Sequence, residues 1–248
     1  MQFSFSNNGF PVEATYSEAF IGDIALPLLK EWTRMQREKG TRLVVFLAAP
    51  PAAGKSTLSA FLEKLSKDTP GVTPLTACGM DGFHHYQEYL KTHTMLRDGQ
   101  AVPMVAYKGA PETFDVQALS SRLARLNTDG ACPWPVYSRV LHNPVEGELT
   151  VTGDIVLVEG NYLLLDWPQW RDLRRFADDT VFLTAEPGLL RERLLARKLL
   201  TVQDPVAAAD FVDRSDLYNA RTILKDSYGQ RVTLVLCEDG ELRRGNEE

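Results

Sequence analysis

Residues 42–57 read Arg-Leu-Val-Val-Phe-Leu-Ala-Ala-Pro-Pro-Ala-Ala-Gly-Lys-Ser-Thr. The first eight residues form a nearly continuous apolar run, which is typical of a strand buried on both faces of a parallel sheet. Pro50 to Gly54 interrupt this run. An apolar residue then recurs at helical spacing, at Leu58, Phe61, Leu62 and Leu65. The stretch therefore predicts a buried strand, a tight turn and an amphipathic helix in direct succession.

The turn has the residues of a phosphate-binding loop. Residues 49–56 match the pattern G-x-x-x-x-G-K-[ST], except that Ala49 stands at the first glycine position. In such a loop the backbone N–H groups point at phosphate oxygens, and the following helix adds its positive dipole end. We expect Lys55 to reach the β- and γ-phosphates of a nucleotide and the Ser56 hydroxyl to ligate Mg²⁺. The expected nucleotide-binding residues are Pro51, Ala52, Ala53, Gly54, Lys55, Ser56 and Thr57.

Ala49 is the departure from this pattern. If the position required a positive φ, alanine would cost about 1–2 kcal/mol there, whereas a negative φ would accommodate it.

Four further apolar segments predict strands, at residues 74–78, 154–158, 180–184 and 231–237. Helical periodicity at residues 116–126 and 189–200 separates several of them. This alternation predicts an α/β fold in which helices cover both faces of a mainly parallel sheet. Residues 86–113 and 128–150 lack strong periodicity, so we expect them to be loop-rich and to hold substrate contacts.

The chain is expected to form a leader and one main domain. Residues 1–40 form the leader, whose helix carries Leu28, Leu29 and Trp32 on one face, ends at Gly40 and packs on the core. Residues 41–240 form the main domain. We expect only residues 243–248 to be disordered.

Two carboxylates follow predicted strands. Asp81 lies in Met-Asp-Gly-Phe-His-His at residues 80–85, and Glu159 ends the apolar run 154–158. Because parallel strands end at the same edge of a sheet, both should lie beside the phosphate loop. Asp81 can accept the proton of an attacking hydroxyl, a role worth roughly 10²–10⁴ in rate. Glu159 can hold Mg²⁺, directly or through water, although an acid at a strand end can also simply cap a turn.

Several polar residues are candidates for contacts with a substrate. His84 follows the candidate base, and Tyr137, Arg139 and His142 lie in the segment 135–144. No ligand spacing supports a zinc site from the histidines, so we favour substrate or phosphate contacts. Packing within the loop is the alternative for Tyr137 and Arg139.

A basic helix follows the strand at 180–184. Arg193 and Arg197 lie one turn apart on one helix face, where they can close over a transferring phosphoryl group and neutralise its charge. A solvated basic face is the alternative.

Composition excludes several classes of protein. Of the 248 residues 44% are hydrophobic, and the formal net charge is −6, which argues against broad nucleic-acid binding. No apolar stretch reaches the roughly 18 residues of a membrane-spanning helix, and residues 1–11 do not form a signal peptide. Three cysteines far apart in sequence suit a reduced compartment. We expect a cytoplasmic protein that binds neither nucleic acid nor a membrane.

Six ordered segments resemble the uridine kinase, phosphoribulokinase and bacterial-type pantothenate kinase branch of the P-loop kinases. The likeness spans roughly residues 42–237 and is strongest to the poorly characterised nucleoside- and sugar-kinase-like members. Its segments are 50–57 (Pro-Pro-Ala-Ala-Gly-Lys-Ser-Thr), 80–84 (Met-Asp-Gly-Phe-His), 108–115 (Lys-Gly-Ala-Pro-Glu-Thr-Phe-Asp), 135–139 (Pro-Val-Tyr-Ser-Arg), 158–162 (Val-Glu-Gly-Asn-Tyr) and 216–220 (Asp-Leu-Tyr-Asn-Ala). Ala49 and Ala52 stand where relatives usually carry glycine.

The resemblance implies a three-layer α/β/α P-loop kinase fold with a five-stranded, mainly parallel sheet and a mobile lid. It implies ATP, Mg²⁺ and transfer of the γ-phosphoryl group to a hydroxyl. By motif, Asp81 would be the base, Glu159 the second acidic residue, and Arg193 and Arg197 part of the lid. Asn219 would lie near the nucleotide. Tyr137, Arg139 and His84 would border the acceptor.

The leading hypothesis is therefore an ATP-dependent kinase acting on a small hydroxylated metabolite, such as a pantothenate-like compound, a sugar or a nucleoside. The alternatives are a nucleotide-binding regulatory protein and an NTPase without kinase activity. A homodimer is a candidate assembly.

Overall fold

The structure is a computed structural model that describes residues 1–7 and 10–245. Its strands are β1 (Gln2–Asn7), β2 (Phe10–Thr15), β3 (Leu43–Ala48), β4 (Leu75–Gly79), β5 (Thr94–Arg97), β6 (Gln100–Pro103), β7 (Cys132–Ser138), β8 (Asn143–Val151), β9 (Ile155–Gly160), β10 (Asp179–Ala185), β11 (Val232–Leu236) and β12 (Leu242–Arg244). Its α-helices are α1 (Glu18–Phe20), α2 (Leu26–Lys39), α3 (Lys55–Asp68), α4 (Gln87–Thr92), α5 (Val116–Leu126), α6 (Pro187–Leu199), α7 (Pro205–Phe211) and α8 (Leu217–Asp226). Single π-helical turns join α1 to α2 and α7 to α8.

The central sheet has the order β12-β11-β10-β3-β9-β4. All five strands predicted from the sequence are present and run parallel, from β11 to β4. Strand β12 adds an antiparallel edge, with Leu236 opposite Leu242 and Leu234 opposite Arg244. The prediction that residues 243–248 are disordered is therefore wrong for 243 and 244, and residues 246–248 lie outside the described part of the chain.

Two hydrophobic cores cover the two faces of this sheet, as the α/β prediction requires. Alternate residues of β3 point to opposite faces, so Val45 joins one core and Phe46 the other. The first core receives the buried faces of α2, α3 and α6. The second receives α5, the β7–β8 hairpin and the segment 162–173. Both faces of the sheet are therefore closed to water.

The leader contributes to the first core. Trp32 of α2 is buried, and its indole Nε1–H donates to Asp179 at the start of β10 over 2.6 Å. Gly40 ends α2 with a left-handed φ of 69°, as predicted, and its N–H donates to the Gln36 carbonyl. Ahead of α2, the β1–β2 hairpin places Phe3 against Phe61 of α3.

The two segments predicted to be loop-rich contain ordered hairpins instead. Strands β5 and β6 pair within 86–113, and β7 and β8 pair within 128–150 and its flank. Local periodicity missed them because β7 contains Pro133 and Pro135, which interrupt a strand pattern, and carries a register shift between Trp134 and Val136.

Both open edges of the central sheet are short. Strand β12 has three residues and β4 has five. At the β4 edge the Ala77 N–H donates to the Glu63 carboxylate over 3.4 Å. Within the described residues, no helix is long and apolar enough to cross a bilayer.

Candidate functional site

The site lies at the carboxyl edge of the central sheet. Strand β3 ends at Ala48 and leads into the loop 49–54, its neighbour β9 contains Glu159, and β4 ends at Gly79 just before Asp81. Because these strands are parallel and adjacent, the topology places the loop and both predicted carboxylates side by side.

The backbone of the phosphate loop is strained at Ala52. Ala49 is fully buried, has no positive φ, and donates its N–H to the Gly160 carbonyl over 3.4 Å. The positive φ angles fall on Ala52 (66°) and Gly54 (98°). Ala49 is thus accommodated without strain. The left-handed cost of about 1–2 kcal/mol falls on Ala52.

The first turn of α3 meets the end of β9. The Ser56 hydroxyl donates to Glu159 Oε1 over 2.8 Å, and Lys55 Nζ lies 3.8 Å from Glu159 Oε2. Burial raises the pKa of Glu159, while the charge of Lys55 opposes this shift. The structure thus brings together the residues predicted to bind phosphate and metal.

This donor set fits Mg²⁺. A hydroxyl and a carboxylate in contact supply hard oxygen ligands, and Mg²⁺ in nucleotide sites uses one or two carboxylates together with phosphate oxygens. No group of three or more His, Cys, Asp or Glu side chains suited to a metal occurs in the described residues.

Asp81 is exposed on the 3₁₀ turn Met80–Phe83. A Cβ on Gly82 would come within 2.0 Å of the Pro135 carbonyl, so the missing side chain lets the backbone of β7 pack against this turn. The close approach that Gly82 permits is therefore an approach of the protein's own backbone. Gly160 acts similarly, because a Cβ there would lie 2.2 Å from Met80.

His84 and Tyr137 lie together beside Asp81. The His84 ring packs 3.8 Å from the Phe114 ring and 5.1 Å from the Tyr137 ring, and its Nδ1 lies 2.9 Å from the Asp81 carbonyl. Burial lowers the pKa of His84, which favours the neutral imidazole. Burial and the charge of Asp81 raise the pKa of Tyr137, which keeps its hydroxyl protonated beside the carboxylate.

Arg139 and His142 lie on the exposed turn between β7 and β8. His142 has a left-handed φ of 52°, and its carbonyl accepts from Lys108 Nζ over 2.9 Å. Arg139 is exposed and follows Tyr137 by two residues. Arg139 thus lies just beyond the strand that carries Tyr137, and the contact of His142 with Lys108 is made by its backbone.

Helix α6 lies against the phosphate loop. Arg193 Nε donates to the Ala52 carbonyl over 2.8 Å, so the helix is tied to the strained position of the phosphate loop. Desolvation lowers the pKa of Arg197; Arg139 acts in the same direction, while Asp216 and Asp81 oppose it. Arg197 follows Arg193 by one helical turn, so both cations lie on the same face of α6.

Asn219 lies on α8 and is 4% exposed. Its side-chain oxygen has no hydrogen-bond partner among the described residues, and neither has Ser215 Oγ one turn earlier. A buried amide oxygen without a partner is costly, which makes α8 a candidate wall for a polar ligand.

Sequence reasoning assigned no role to Lys108 or Asp216. Lys108 Nζ lies 4.8 Å from the centre of the Tyr137 ring. Burial raises the pKa of Asp216, against the opposing charges of Lys198 and Arg197. Lys108 and Asp216 begin the segments 108–115 and 216–220 that carry the family resemblance. Their spatial neighbours are distant in sequence, so only the folded structure shows these contacts.

Comparison with known proteins adds the family. The chain is 38% identical over 241 residues to "Uncharacterized protein YggC" of Escherichia coli, a match that covers 97% of this chain and 98% of that protein. It is 31% identical over 191 residues to "Putative uridine kinase C227.14" of Schizosaccharomyces pombe, covering 75% of this chain and 79% of that protein. The chain belongs to the P-loop kinases of the uridine kinase, phosphoribulokinase and pantothenate kinase branch.

Solved structures agree with membership of these P-loop kinases. A structure described as a "putative fructose transport system kinase" from Silicibacter sp. TM1040 superposes with a TM-score of 0.73 at 29% identity, over 84% of this chain and 98% of that one. The pantothenate kinase of Ligilactobacillus salivarius is 27% identical, and the match covers 48% of its length. No family model matches the chain.

Proposed function

We propose that this protein is an ATP-dependent kinase that transfers the γ-phosphoryl group to a hydroxyl of a small metabolite. The observation that carries the proposal is the exposed carboxylate of Asp81 beside the cluster of Lys55, Ser56 and Glu159. A phosphate loop alone would bind a nucleotide. A carboxylate placed to receive a proton adds the means to activate an alcohol.

Each residue has a defined part in this reaction. Asp81 accepts the proton of the acceptor hydroxyl while the hydroxyl oxygen of the acceptor forms a bond to the γ-phosphorus. The bond between the γ-phosphorus and the β–γ bridging oxygen breaks, and ADP is released. Lys55, Arg193 and Arg197 neutralise the charge on the transferring oxygens. Ser56 and Glu159 would hold Mg²⁺, which supplies charge neutralisation between the β- and γ-phosphates.

The protein's remaining side chains position the acceptor. Tyr137 and His84 form the wall nearest Asp81, and Arg139 and His142 lie at its rim.

A cytoplasmic location belongs to the same proposal and is supported by three free thiols, at Cys78, Cys132 and Cys237.

Replacing the base tests the mechanism. Asp81→Asn should lower kcat roughly 10²- to 10⁴-fold while the Kd for Mg²⁺-ATP stays within about twofold. Asp154→Asn is the matched control, because Asp154 is exposed next to the start of β9, at the opposite edge of the sheet. A fall in kcat of less than about tenfold for Asp81→Asn would contradict the assignment.

A mass-spectrometric assay tests the activity itself. The protein is incubated with Mg²⁺-ATP and a pooled metabolite extract, and products are searched for an added phosphoryl group. ATP binding without any phosphorylated metabolite would favour a nucleotide-binding regulatory protein. Release of phosphate alone would favour an NTPase.

A further inference from the structure

Two cations near Tyr137, Lys108 and Arg139, have no acidic partner among the described residues. Neither Lys108 nor Arg139 makes a salt bridge with any residue in the described ranges, although exposed basic residues elsewhere do, for example Arg34 with Glu38. Lys108 Nζ packs over the Tyr137 ring, and Arg139 follows Tyr137 by two residues, at the start of the β7–β8 turn.

Lys108 is held firmly by neutral groups. Its ammonium donates to Gln87 Oε1 and to the His142 carbonyl, each over 2.9 Å. These two bonds fix its direction but leave its full positive charge. An ammonium has three N–H donors, so one remains for a ligand.

The surroundings of Lys108 make this arrangement costly without a ligand. The side chain is partly buried, and burial lowers its pKa because the charged form is disfavoured there. A partly desolvated cation without a countercharge in a cleft is typical of a binding group, since an anion restores the interactions lost from water.

The position of Lys108 separates it from the nucleotide phosphates. Its contacts are with α4 and the β7–β8 turn. Arg193, by contrast, contacts the phosphate loop at Ala52, and Lys55 lies beside Glu159. The phosphate loop and lid thus have their own cations, and Lys108 and Arg139 belong to the acceptor's side of Asp81.

We propose that the acceptor of this kinase carries an anionic group, a carboxylate or a phosphate, which Lys108 and Arg139 bind while the acceptor hydroxyl faces Asp81. This inference rests on the proposed kinase function. It selects hydroxy acids and sugar phosphates and excludes neutral sugars and nucleosides.

Separating the metabolite extract by charge tests the proposal. Anion exchange divides a pooled extract into a retained anionic fraction and a neutral flow-through, and each is incubated with the protein and Mg²⁺-ATP. The phosphorylated product should arise from the anionic fraction. Product from the flow-through would overturn the anionic acceptor while leaving the kinase function intact, and product from neither would overturn both.

A phosphatase step distinguishes the two kinds of anion. The anionic fraction is treated with alkaline phosphatase, which is then removed by filtration before Mg²⁺-ATP is added. Survival of the acceptor assigns a carboxylate, and its loss assigns a phosphate.

Substitutions of Lys108 and Arg139 test whether these two residues cause the preference for an anionic acceptor. With the acceptor found in the anionic fraction, Lys108→Met should lower kcat/KM about 10- to 100-fold, mainly through KM for the acceptor, with KM for ATP unchanged. Lys30→Met, at an exposed position of α2, is the matched control. Arg139→Gln, on an exposed turn, repeats the test without risk to folding. If kcat/KM for the acceptor stayed within about threefold of the unaltered protein in both variants, the assignment of Lys108 and Arg139 to the anionic group would be overturned.

Discussion

Ala52 holds a left-handed backbone inside the phosphate loop, with φ of 66°. Its carbonyl accepts a hydrogen bond from Arg193 of α6, and the next residues form the turn into α3. The conformation is therefore imposed by the loop and its contact with α6, against the preference of alanine. Ala49, by comparison, is an ordinary buried residue at the end of a strand.

Substitution by glycine should have opposite effects on stability at Ala52 and Ala49. Ala52→Gly removes the left-handed penalty and should raise the free energy of unfolding by about 0.5–1 kcal/mol. Ala49→Gly removes a buried methyl and loosens the backbone, so it should lower that energy by about 1 kcal/mol. Urea unfolding of both variants gives the measurement. Equal effects of the two substitutions would contradict the assignment of strain to Ala52.

Glu159 should make stability depend on pH. Its folded-state pKa is raised, so the folded protein holds this proton more tightly than the unfolded chain does. Stability from this group is present below the usual glutamate pKa and is lost as pH rises through the raised value. We expect the stability of the unaltered protein relative to Glu159→Gln to fall as the pH rises from about 4 through this raised pKa. A relative gain over the same range, measured by urea unfolding without ligand, would contradict this sign.

The β7–β8 hairpin fixes the turn that carries Asp81. Trp134 Nε1 donates to the Gly79 carbonyl over 2.8 Å, and the Pro135 carbonyl occupies the space beside Gly82. A strand from one hairpin thus supports the end of β4, the predicted base and Tyr137 together. Movement of the hairpin would shift the base and the acceptor wall as a unit.

A methyl group at Gly82 should separate these elements. Gly82→Ala places its Cβ 2.0 Å from the Pro135 carbonyl and should destabilise the protein by at least about 2 kcal/mol. Gly188→Ala adds the same methyl to α6 in open space and should stabilise by about 0.5–1 kcal/mol. Thermal unfolding compares the two, and a Gly82→Ala protein as stable as the unaltered one would show that the hairpin is free to shift.

The elements that local patterns describe well were predictable. The stretch 42–57 encodes a strand, a turn and a helix in consecutive residues, and the other four parallel strands are similarly continuous. The β5–β6 and β7–β8 hairpins depend on pairing across the chain, and prolines in β7 conceal the strand. Lys108 could not be assigned from sequence because its partners, Gln87 and His142, meet it only in the folded chain.

The carboxyl and amino ends of the parallel strands have different roles in the whole molecule. The carboxyl ends carry the phosphate loop, Glu159 and Asp81. At the opposite edge Asp179 is 2% exposed and accepts from Trp32 of the leader helix and from both Nε and Nη2 of Arg231. This cluster joins α2, β10 and the start of β11, so it stabilises the fold at a distance from the chemistry.

Disrupting this cluster should reduce stability without impairing catalysis. Asp179→Asn weakens the pairing with Arg231 and should lower the free energy of unfolding by about 3 kcal/mol. The kcat at 25 °C should stay within about twofold. Asp172→Asn, at an exposed position, is the control and should change stability by less than about 0.5 kcal/mol. A large loss of kcat in a stably folded Asp179→Asn protein would contradict this separation.

The short edge strands β12 and β4 of the central sheet also affect how the folded protein behaves at high concentration. An open strand exposes N–H and C=O groups that another chain can extend. Here β12 offers only three residues, and at β4 the Ala77 N–H is already bonded to Glu63. Neither end presents a long, flat strand as a template, so concentrated solutions should resist fibre growth by strand addition.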